Sequence, residues 1–258
     1  MRLPSRVGCN WREPSLAGSP AQEVKAPAGW VRYRQHMARV GAPVTFRVPS
    51  PGRPSLQLAI RMGCIGTAAL SGRFVRGGIV TSSNSQMCGN QSRWWGFVGL
   101  RNADGAIRES AGPGLAREIE RLTPMGPEGE KLLPGSVRVT GAHALRAERL
   151  FHALGPSSLF RPGAESTLGQ TYDHTFRLAK DLAVPCLALP ALCCGVAGFP
   201  ASVGARAALD AVGRATEDDA LEGALSMVEF VLLDERVYAA FADGAHARWG
   251  KGTPLAVV

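Results

Sequence analysis

Short apolar runs alternate with amphipathic stretches from residue 44 to residue 242, and this alternation predicts strands and helices in turn. Apolar runs bounded by turn residues predict strands at residues 44–48, 56–61, 78–81, 136–140, 150–154, 186–189 and 227–233. Apolar positions at helical spacing predict helices at residues 104–111, 115–122, 167–182, 201–214 and 235–242. Strands that alternate with helices of this length predict an α/β fold whose sheet is covered on both faces.

The longest uncharged run, residues 182–199, approaches the length of a membrane span. It is interrupted by Pro185, Pro190, Gly195 and Gly198, and it follows a charged helical stretch. A buried strand that leads into a glycine loop fits this pattern better than a membrane helix. With 45% hydrophobic and 19% charged residues, the chain has enough apolar side chains for a full core, and no membrane partner is expected.

The positive charge of the chain is concentrated near its start. Of the net charge of +8, residues 1–60 contribute +7, from nine Arg and Lys against two Asp and Glu, so the remainder is nearly neutral. This distribution does not predict a nucleic-acid-binding surface. Residues 1–43 are predicted to be an N-terminal extension, and residues 44–258 are predicted to form the domain. The extension could be a targeting presequence, a flexible tail or an added edge of the fold. An intracellular protein is expected, in the cytoplasm, the nucleus or an organelle.

The six cysteines show no spacing typical of a metal site or of a disulfide framework. They are Cys9, Cys64, Cys88, Cys186, Cys193 and Cys194. A domain of this size does not need disulfides to hold its core, so we expect free thiols in a reducing compartment and no bound metal.

Polar side chains follow the predicted strand at residues 78–81, where ligands bind in open α/β sheets. Asn84 lies in this loop, and Asp104 lies where the next predicted helix begins. An amide that both donates and accepts hydrogen bonds suits a sugar diol, and a carboxylate can accept a proton from water or a hydroxyl. The same positions also suit a turn at Asn84 and a helix cap at Asp104, and both interpretations stay open here.

A glycine loop follows the predicted strand at residues 186–189 and precedes a helix. Gly195 and Gly198 would let backbone amides close around phosphate oxygens at the helix N-terminus. The loop contains neither GxxxxGK[ST] nor GxGxxG, so neither a P-loop nor a Rossmann dinucleotide site is predicted. Tight packing between strand and helix is the alternative explanation for these glycines.

Together these segments resemble the macro domain family. Residues 79–84 are similar to the family's IVNAAN segment, and residues 104–107 are similar to its VDGAI segment. Residues 151–156 are similar to its IHTVGP strand. Residues 135–141 resemble the GxxxxTxG strand, residues 189–200 resemble FPAISTGVYGFP, and residues 228–241 resemble the closing strand and helix. The matches follow the family's order over roughly residues 56–243, and this ordered set is more specific than any single match.

The resemblance implies a three-layer α/β/α fold with a central mixed sheet, and it implies ADP-ribose or an ADP-ribosylated protein as the partner. The implied activity is hydrolysis of mono-ADP-ribosylated protein or O-acyl-ADP-ribose, with a non-catalytic ADP-ribose reader as the alternative and a purely structural domain as a third. Asn84 would hold the distal ribose and Asp104 would activate water. Further ligand contacts are implied at Cys64, Ile65, Ser83, Ala103, Cys193, Cys194, Gly195, Val196, Ala197, Gly198 and Phe199. No cofactor and no metal are implied, and a monomer is expected.

Three positions depart from the family pattern. Cys64 stands where the GDIT segment has an adenine-binding aspartate, and Ala197 stands where the pyrophosphate loop has an aromatic residue. An insert with Trp94, Trp95 and Phe97 replaces a glycine stretch, and its rings would either stack on the ligand or pack against the sheet. His152 is expected to be a packed core histidine.

Overall fold

The computed structural model describes residues 43–52, 54–70, 74–89, 103–217 and 225–254. The strands are β1 (Val44–Val48), β2 (Leu56–Met62), β3 (Phe74–Ser82), β4 (Ser136–Gly141), β5 (Ala147–Leu154), β6 (Cys186–Leu189), β7 (Met227–Leu232) and β8 (Thr253–Pro254). The helices are α1 (Ile65–Leu70), α2 (Ala103–Ala111), α3 (Pro113–Glu120), α4 (Ala164–Asp181), α5 (Ala201–Glu217) and α6 (Glu235–Trp249).

The strands form one mixed sheet in the order β4-β5-β3-β6-β7-β2-β1-β8. The five central strands, from β5 to β2, pair in parallel, whereas β4, β1 and β8 pair antiparallel at the two margins. In a parallel arrangement all carboxyl ends point to the same edge of the sheet. Because β5, β3 and β6 are neighbours, the loops that follow these three strands emerge side by side.

Two separate cores cover the two faces of the sheet, which makes three layers. On one face, Leu168 and Tyr172 of α4, Leu209 of α5 and Phe241 of α6 pack against Phe151 and its neighbours. On the other face, the buried residues Ile65 of α1, Ile107 of α2 and Leu115 of α3 pack against Ile79, Leu150 and Ala188. The predicted α/β/α architecture with a central mixed sheet is therefore confirmed.

The predicted elements agree with the structure in type and order, but most differ at one or both ends, most of all the last helix, which runs to Trp249 rather than to residue 242. The short strand β8 was not predicted. The strands β1 and β6 have the predicted bounds, whereas β3 begins four residues before its predicted start at Gly78. Arg76 and Gly77 interrupt its apolar pattern, but the strand continues through them, with a register shift against β5 between the pairs Phe74–Ala147 and Gly78–Arg149. The six-residue helix α1 was not predicted, because it is short and has a glycine at its second position.

Several sequence-based predictions fall on residues outside the described ranges. One is the insert that contains Trp94, Trp95 and Phe97. Another is the N-terminal extension, of which only Pro43 is described. Along the part of the chain that the structure describes, no helix combines the length and apolarity needed to cross a membrane. Over the same residues, no three His, Cys, Asp or Glu side chains lie close enough to hold a metal ion.

Candidate functional site

A cavity of about 360 Å³ opens at the carboxyl ends of β5, β3 and β6. Three chain segments and the start of α2 line it. At the end of β3 and just beyond it, the cavity is lined by Ser82, Ser83 and Asn84, with Ala103 and Asp104 of α2 beside them. At the end of β5 and just beyond it, the cavity is lined by Leu154, Gly155, Pro156 and Ser157. After β6 it is lined by Pro190, Ala191, Cys193, Gly195, Val196 and Ala197. Its volume lies within the range of small-molecule sites, and its position is the one where such sheets bind ligands.

The loop after β3 is held together by the Asn84 side chain. Asn84 Nδ2 donates to the Gly89 carbonyl at 2.7 Å, and Asn84 Oδ1 accepts from the Cys88 amide at 3.2 Å. Gly89 has a φ of 77°, which glycine adopts without strain, and a Cβ there would lie 2.9 Å from Arg108 Cδ, so a larger residue would require the Arg108 side chain to move. The Asn84 amide therefore shapes the loop in this structure, although Asn84 also lines the cavity.

Asp104 lies in the first turn of α2, and only 3% of its surface is exposed. Its Oδ1 accepts hydrogen bonds from Thr81 Oγ1 at 2.9 Å and from Ser83 Oγ at 3.4 Å, while Oδ2 lies 4.0 Å from Arg108 Nε. Burial raises the pKa of Asp104, and the Thr81 hydroxyl, Arg108 and Ser83 act in the opposite direction. A carboxylate with a raised pKa beside a cavity is a candidate general base.

His152 of β5 lies behind Asp104, fully within the core, as expected from the sequence. Both ring nitrogens have partners, because Nδ1 lies 3.2 Å from Ser83 Oγ and Nε2 lies 3.0 Å from Thr140 Oγ1. Burial, and then the positive charge of Arg108, lowers the pKa of His152 to about 3. The imidazole is therefore neutral at physiological pH.

The loop after β6 closes on itself through backbone hydrogen bonds. The Gly198 amide donates to the Gly195 carbonyl at 2.9 Å, and the Phe199 amide donates to the Cys193 carbonyl at 3.1 Å. Within the described residues, the amides of Gly195, Val196 and Ala197 have no protein acceptor. Three amides without acceptors, in a loop that faces a cavity and leads into α5, form an arrangement suited to an anion.

The thiols of this loop are packed rather than reactive. Cys193 Sγ lies 3.5 Å from the Pro156 carbonyl, and a Cβ on Gly155 would come within 2.4 Å of that sulfur. A Cβ on Gly204 would come within 2.2 Å of Cys194 Sγ. Burial raises the pKa of Cys193 to about 12 and that of Cys194 to about 11, so both are neutral thiols that fill space.

The glycine loop is anchored to α4 by the Tyr172 hydroxyl, which accepts a hydrogen bond from the Leu192 amide at 2.9 Å. We predict that Tyr172→Phe lowers the free energy of unfolding by about 1–3 kcal/mol, because it leaves this buried amide without an acceptor. Chemical denaturation measures the change. Tyr238→Phe, on α6, is the matched control. Equal stability of Tyr172→Phe and the wild type would show that the hydroxyl does not anchor the loop.

The structure brings most of the predicted site residues to one cavity. Asn84, Asp104, Ser83, Ala103, Cys193, Gly195, Val196 and Ala197 all line it. The other five do not. Ile65 and Phe199 are packed in the two cores, Cys64 is buried, Cys194 is partly buried, and Gly198 forms the turn of its loop. Ligand contacts at these five positions stay predictions.

The segment after β5 was not predicted to belong to the site. Residues 154–157 nevertheless lie on the cavity wall, because β5 is the parallel neighbour of β3. A signal was present in Gly155 and Pro156, which end a buried strand in a turn just as the segments after β3 and β6 do.

A second depression, of about 350 Å³, lies between α4 and α5 on the outer surface. Its charged side chains are already in ion pairs, with one another or, for Asp210, with Arg248 outside the depression. Arg206 contacts Glu165 at 2.6 Å, and Arg214 contacts Asp173 at 3.0 Å. Because these charges satisfy each other at an exposed surface, the depression is a weaker candidate than the cavity beside Asp104.

The chain is similar in sequence to known macro domain proteins. A family model of the macro domain matches residues 95–208. A macro domain-containing protein of Caldanaerobacter subterraneus is 31% identical over 169 residues, which are 64% of this chain and 85% of that protein. One of Streptomyces griseus is 30% identical over 173 residues, 66% of this chain and 92% of that protein. For a relative from Xanthomonas axonopodis, 33% identical over 116 residues, the match spans 44% of this chain and 63% of the relative's length.

Solved macrodomains share the fold. The Oceanobacillus iheyensis macrodomain with ADP has a TM-score of 0.65 at 23% identity, over 81% of this chain and 97% of that one. The Trypanosoma brucei macrodomain in complex with ADP has a TM-score of 0.57 at 24% identity, over 71% of this chain and 67% of that one. At these identities the likeness establishes the fold, and the sequence relatives establish the family. The chain belongs to the macro domain family.

Proposed function

We propose that the cavity binds ADP-ribose and that the protein hydrolyses the bond at the anomeric carbon of its distal ribose. The substrate would be a mono-ADP-ribosylated protein or O-acyl-ADP-ribose. The observation that carries the proposal is that one cavity is lined both by Asp104 and by Gly195, Val196 and Ala197, whose amides have no acceptor among the described residues. The solved macrodomains of Oceanobacillus iheyensis and Trypanosoma brucei with ADP support a nucleotide diphosphate as the kind of ligand.

The diphosphate would lie on the glycine loop. The amides of Gly195, Val196 and Ala197 are available to donate to phosphate oxygens, and α5 begins just after this loop at Ala201. Charge-assisted hydrogen bonds from amides are the strong kind, and they hold an anion without a metal ion or a basic side chain. Val196 is 82% exposed at the rim, so the ligand would have direct access from solvent.

The distal ribose would lie next to Asp104. The raised pKa of this carboxylate brings its basicity closer to that needed to take a proton from water. Attack of that water on the anomeric carbon forms the new C–O bond, the bond to the leaving carboxylate or acyl oxygen breaks, and the proton passes to Asp104. Developing positive charge at the anomeric carbon would be stabilised by the carboxylate and by the diphosphate of the ligand itself.

A non-catalytic reader of ADP-ribose is the second candidate, and the bonding of Asn84 favours it. Its amide is engaged with Gly89 and Cys88 within its own loop, so it would need to give up these bonds to hold the distal ribose. A reader needs the glycine loop but not the carboxylate. Both functions use the same cavity, and they differ in whether the bound ligand is then cleaved.

Two measurements on the same protein separate these functions. Calorimetry with ADP-ribose measures binding, and release of radiolabelled ADP-ribose from a mono-ADP-ribosylated protein measures hydrolysis. Binding together with release is the result expected for the hydrolase. Binding without release would assign the reader function, and the absence of both would refute the proposed site.

A further inference from the structure

Four buried side chains form a continuous chain of hydrogen bonds that ends at Asp104. Thr140 Oγ1 of β4 lies 3.0 Å from His152 Nε2, and His152 Nδ1 lies 3.2 Å from Ser83 Oγ. Ser83 Oγ then lies 3.4 Å from Asp104 Oδ1. His152 is paired in register with Thr81 of β3, whose hydroxyl reaches the same carboxylate oxygen at 2.9 Å. The chain therefore runs from β4 through β5 to the loop after β3 and the start of α2, where Ser83 and Asp104 line the cavity.

The number of protons on these groups allows only two directions for the chain. A hydroxyl has one hydrogen to donate, and a neutral imidazole has one N–H and one acceptor nitrogen. In the first direction, Thr140 donates to Nε2, Nδ1–H donates to Ser83, and Ser83 donates to Asp104. In the second, Ser83 donates to Nδ1, Nε2–H donates to Thr140, and Thr140 donates to the Gly141 carbonyl, 3.1 Å away.

The charge on Asp104 decides between the two directions. An ionised carboxylate can only accept, so it draws the Ser83 hydrogen toward itself, and His152 must then carry its proton on Nδ1. A protonated Asp104 can donate to Ser83 Oγ, which frees the Ser83 hydrogen for Nδ1 and leaves the histidine proton on Nε2. In this exchange Asp104 gains one proton from solvent, and the imidazole stays neutral while its proton changes nitrogen.

We propose that His152 is a positioning residue for Asp104. Its Nδ1–H tautomer holds the Ser83 hydroxyl against the ionised carboxylate, and protonation of Asp104 reverses the direction of the hydrogen bonds along the chain. The effect of this positioning on catalysis rests on the proposed function, whereas the chain of hydrogen bonds itself does not depend on that function. A carboxylate fixed from behind by two hydroxyl groups keeps one orientation toward the cavity, which is how an aligned general base is maintained.

The charged groups that face this chain, among the described residues, favour a neutral imidazole. Arg108 of α2 lies 4.0 Å from Asp104 Oδ2. Arg138 of β4 is opposite His152 in register, and its Nη1 is buried without a hydrogen-bond partner in the described part of the chain. Burial and the positive charge of Arg108 oppose protonation of the imidazole, so the proton can change nitrogen without the ring becoming charged. Cys193, on the far wall of the cavity, is a neutral thiol.

The direct test is the tautomer of His152, measured by ¹⁵N NMR of the ligand-free protein across a pH titration. We expect the Nδ1–H form where Asp104 is ionised and conversion to the Nε2–H form as Asp104 takes up a proton. The side-chain ¹³C signal of Asp104, followed in the same samples, should titrate together with it. An Nε2–H tautomer at all pH values, or a tautomer that does not follow Asp104, would overturn the proposal. Because no ligand is present, the result is independent of whether the protein hydrolyses ADP-ribose.

Paired substitutions of His152 separate positioning from simple packing. His152→Asn keeps a donor near the place of Nδ1, whereas His152→Gln places its amide near Nε2 and leaves Ser83 without a donor. We expect His152→Gln and Ser83→Ala to move the Asp104 titration midpoint upward by about half a pH unit, because a hydrogen bond to the carboxylate is weakened or lost. His152→Asn should move it less. Equal effects of the Asn and Gln variants would refute the directed chain, and the tautomer measurement on the wild type remains decisive if a variant fails to fold.

The hydrolysis reaction supplies a second readout of the same chain. In Ser83→Ala the acid limb of the kcat profile should move upward together with the NMR midpoint. A loss of kcat at every pH without movement of the acid limb would indicate a structural role for Ser83 and contradict positioning. If the wild type showed no hydrolysis, the proposed function would fail. The tautomer measurement would still decide whether His152 positions Asp104.

Discussion

Asp104→Asn is expected to lower the rate of ADP-ribose release by about 10²- to 10⁴-fold while ADP-ribose still binds, because the amide cannot take a proton from water. The substitution preserves the shape of the side chain and leaves an oxygen that can accept from the Thr81 hydroxyl, so the cavity should keep its form. Rates are measured with a mono-ADP-ribosylated protein, and affinity is measured by calorimetry. Asp210→Asn, in the exposed ion pair with Arg248, is the matched control and should leave both unchanged.

The same variant should be at least as stable as the wild type at neutral pH. The pKa of Asp104 is raised by burial, so the folded state disfavours the carboxylate more than the unfolded state does. The stability that this group contributes is complete below its unfolded pKa and is lost as pH rises through its folded pKa. Replacing the carboxylate by an amide therefore removes the cost of burying a charge at pH 7. The gain in the free energy of unfolding should vanish in acid, where Asp104 is protonated. A variant that is less active and also clearly less stable at pH 7 would contradict this account of Asp104.

Gly195→Val is expected to weaken ADP-ribose binding by about 100-fold or more, which corresponds to about 2.7 kcal/mol, without changing the free energy of unfolding. Gly195 lines the cavity, and a Cβ built there meets no atom within 4 Å. The new side chain would therefore fit the fold but occupy space that we assign to the diphosphate, beside the amides of Val196 and Ala197. Calorimetry and chemical denaturation on the same preparation measure the two effects.

Gly213→Val is the matched control for this substitution. Gly213 lies on α5, away from the cavity, and a Cβ there also meets nothing within 4 Å. It should leave the affinity for ADP-ribose unchanged. Full affinity in Gly195→Val would show that the diphosphate does not lie on this loop, and equal losses in the two variants would show that the effect is not local.

The layout of the fold could be predicted from the sequence wherever one run of residues decides one element. Pro185 and Pro190 bound the apolar run of β6, so both of its ends were predicted correctly. The order of segments along the chain likewise predicted that the loops after β3 and β6 would face one cavity, because the carboxyl ends of parallel strands lie at one edge of the sheet. The pattern could not show which strands are neighbours, and this is why the wall after β5 was missed.

The remaining features of the site depend on distances between residues far apart in sequence. Cys193 packs against Gly155, and Asp104 accepts hydrogen bonds from Thr81 and Ser83, more than twenty residues earlier in the chain. A propensity or a motif carries no information about such contacts. The sequence predicted that Asp104 would face a ligand or cap a helix, and Asp104 does line the cavity. The sequence did not predict that its carboxylate would be buried against the hydroxyl groups of Thr81 and Ser83.

In the proposed function, one cavity holds the diphosphate on amides of the glycine loop and the distal ribose beside Asp104. The most direct test is a titration of ADP-ribose followed in the ¹H–¹⁵N amide spectrum, with ADP as the comparison ligand that lacks the distal ribose. Both ligands should shift the Gly195, Val196 and Ala197 amides, ADP-ribose alone should also shift the Asp104 amide, and Gly213 should not move. Shifts confined to the surface between α4 and α5, or an unchanged spectrum at millimolar ADP-ribose, would contradict the assignment of this cavity.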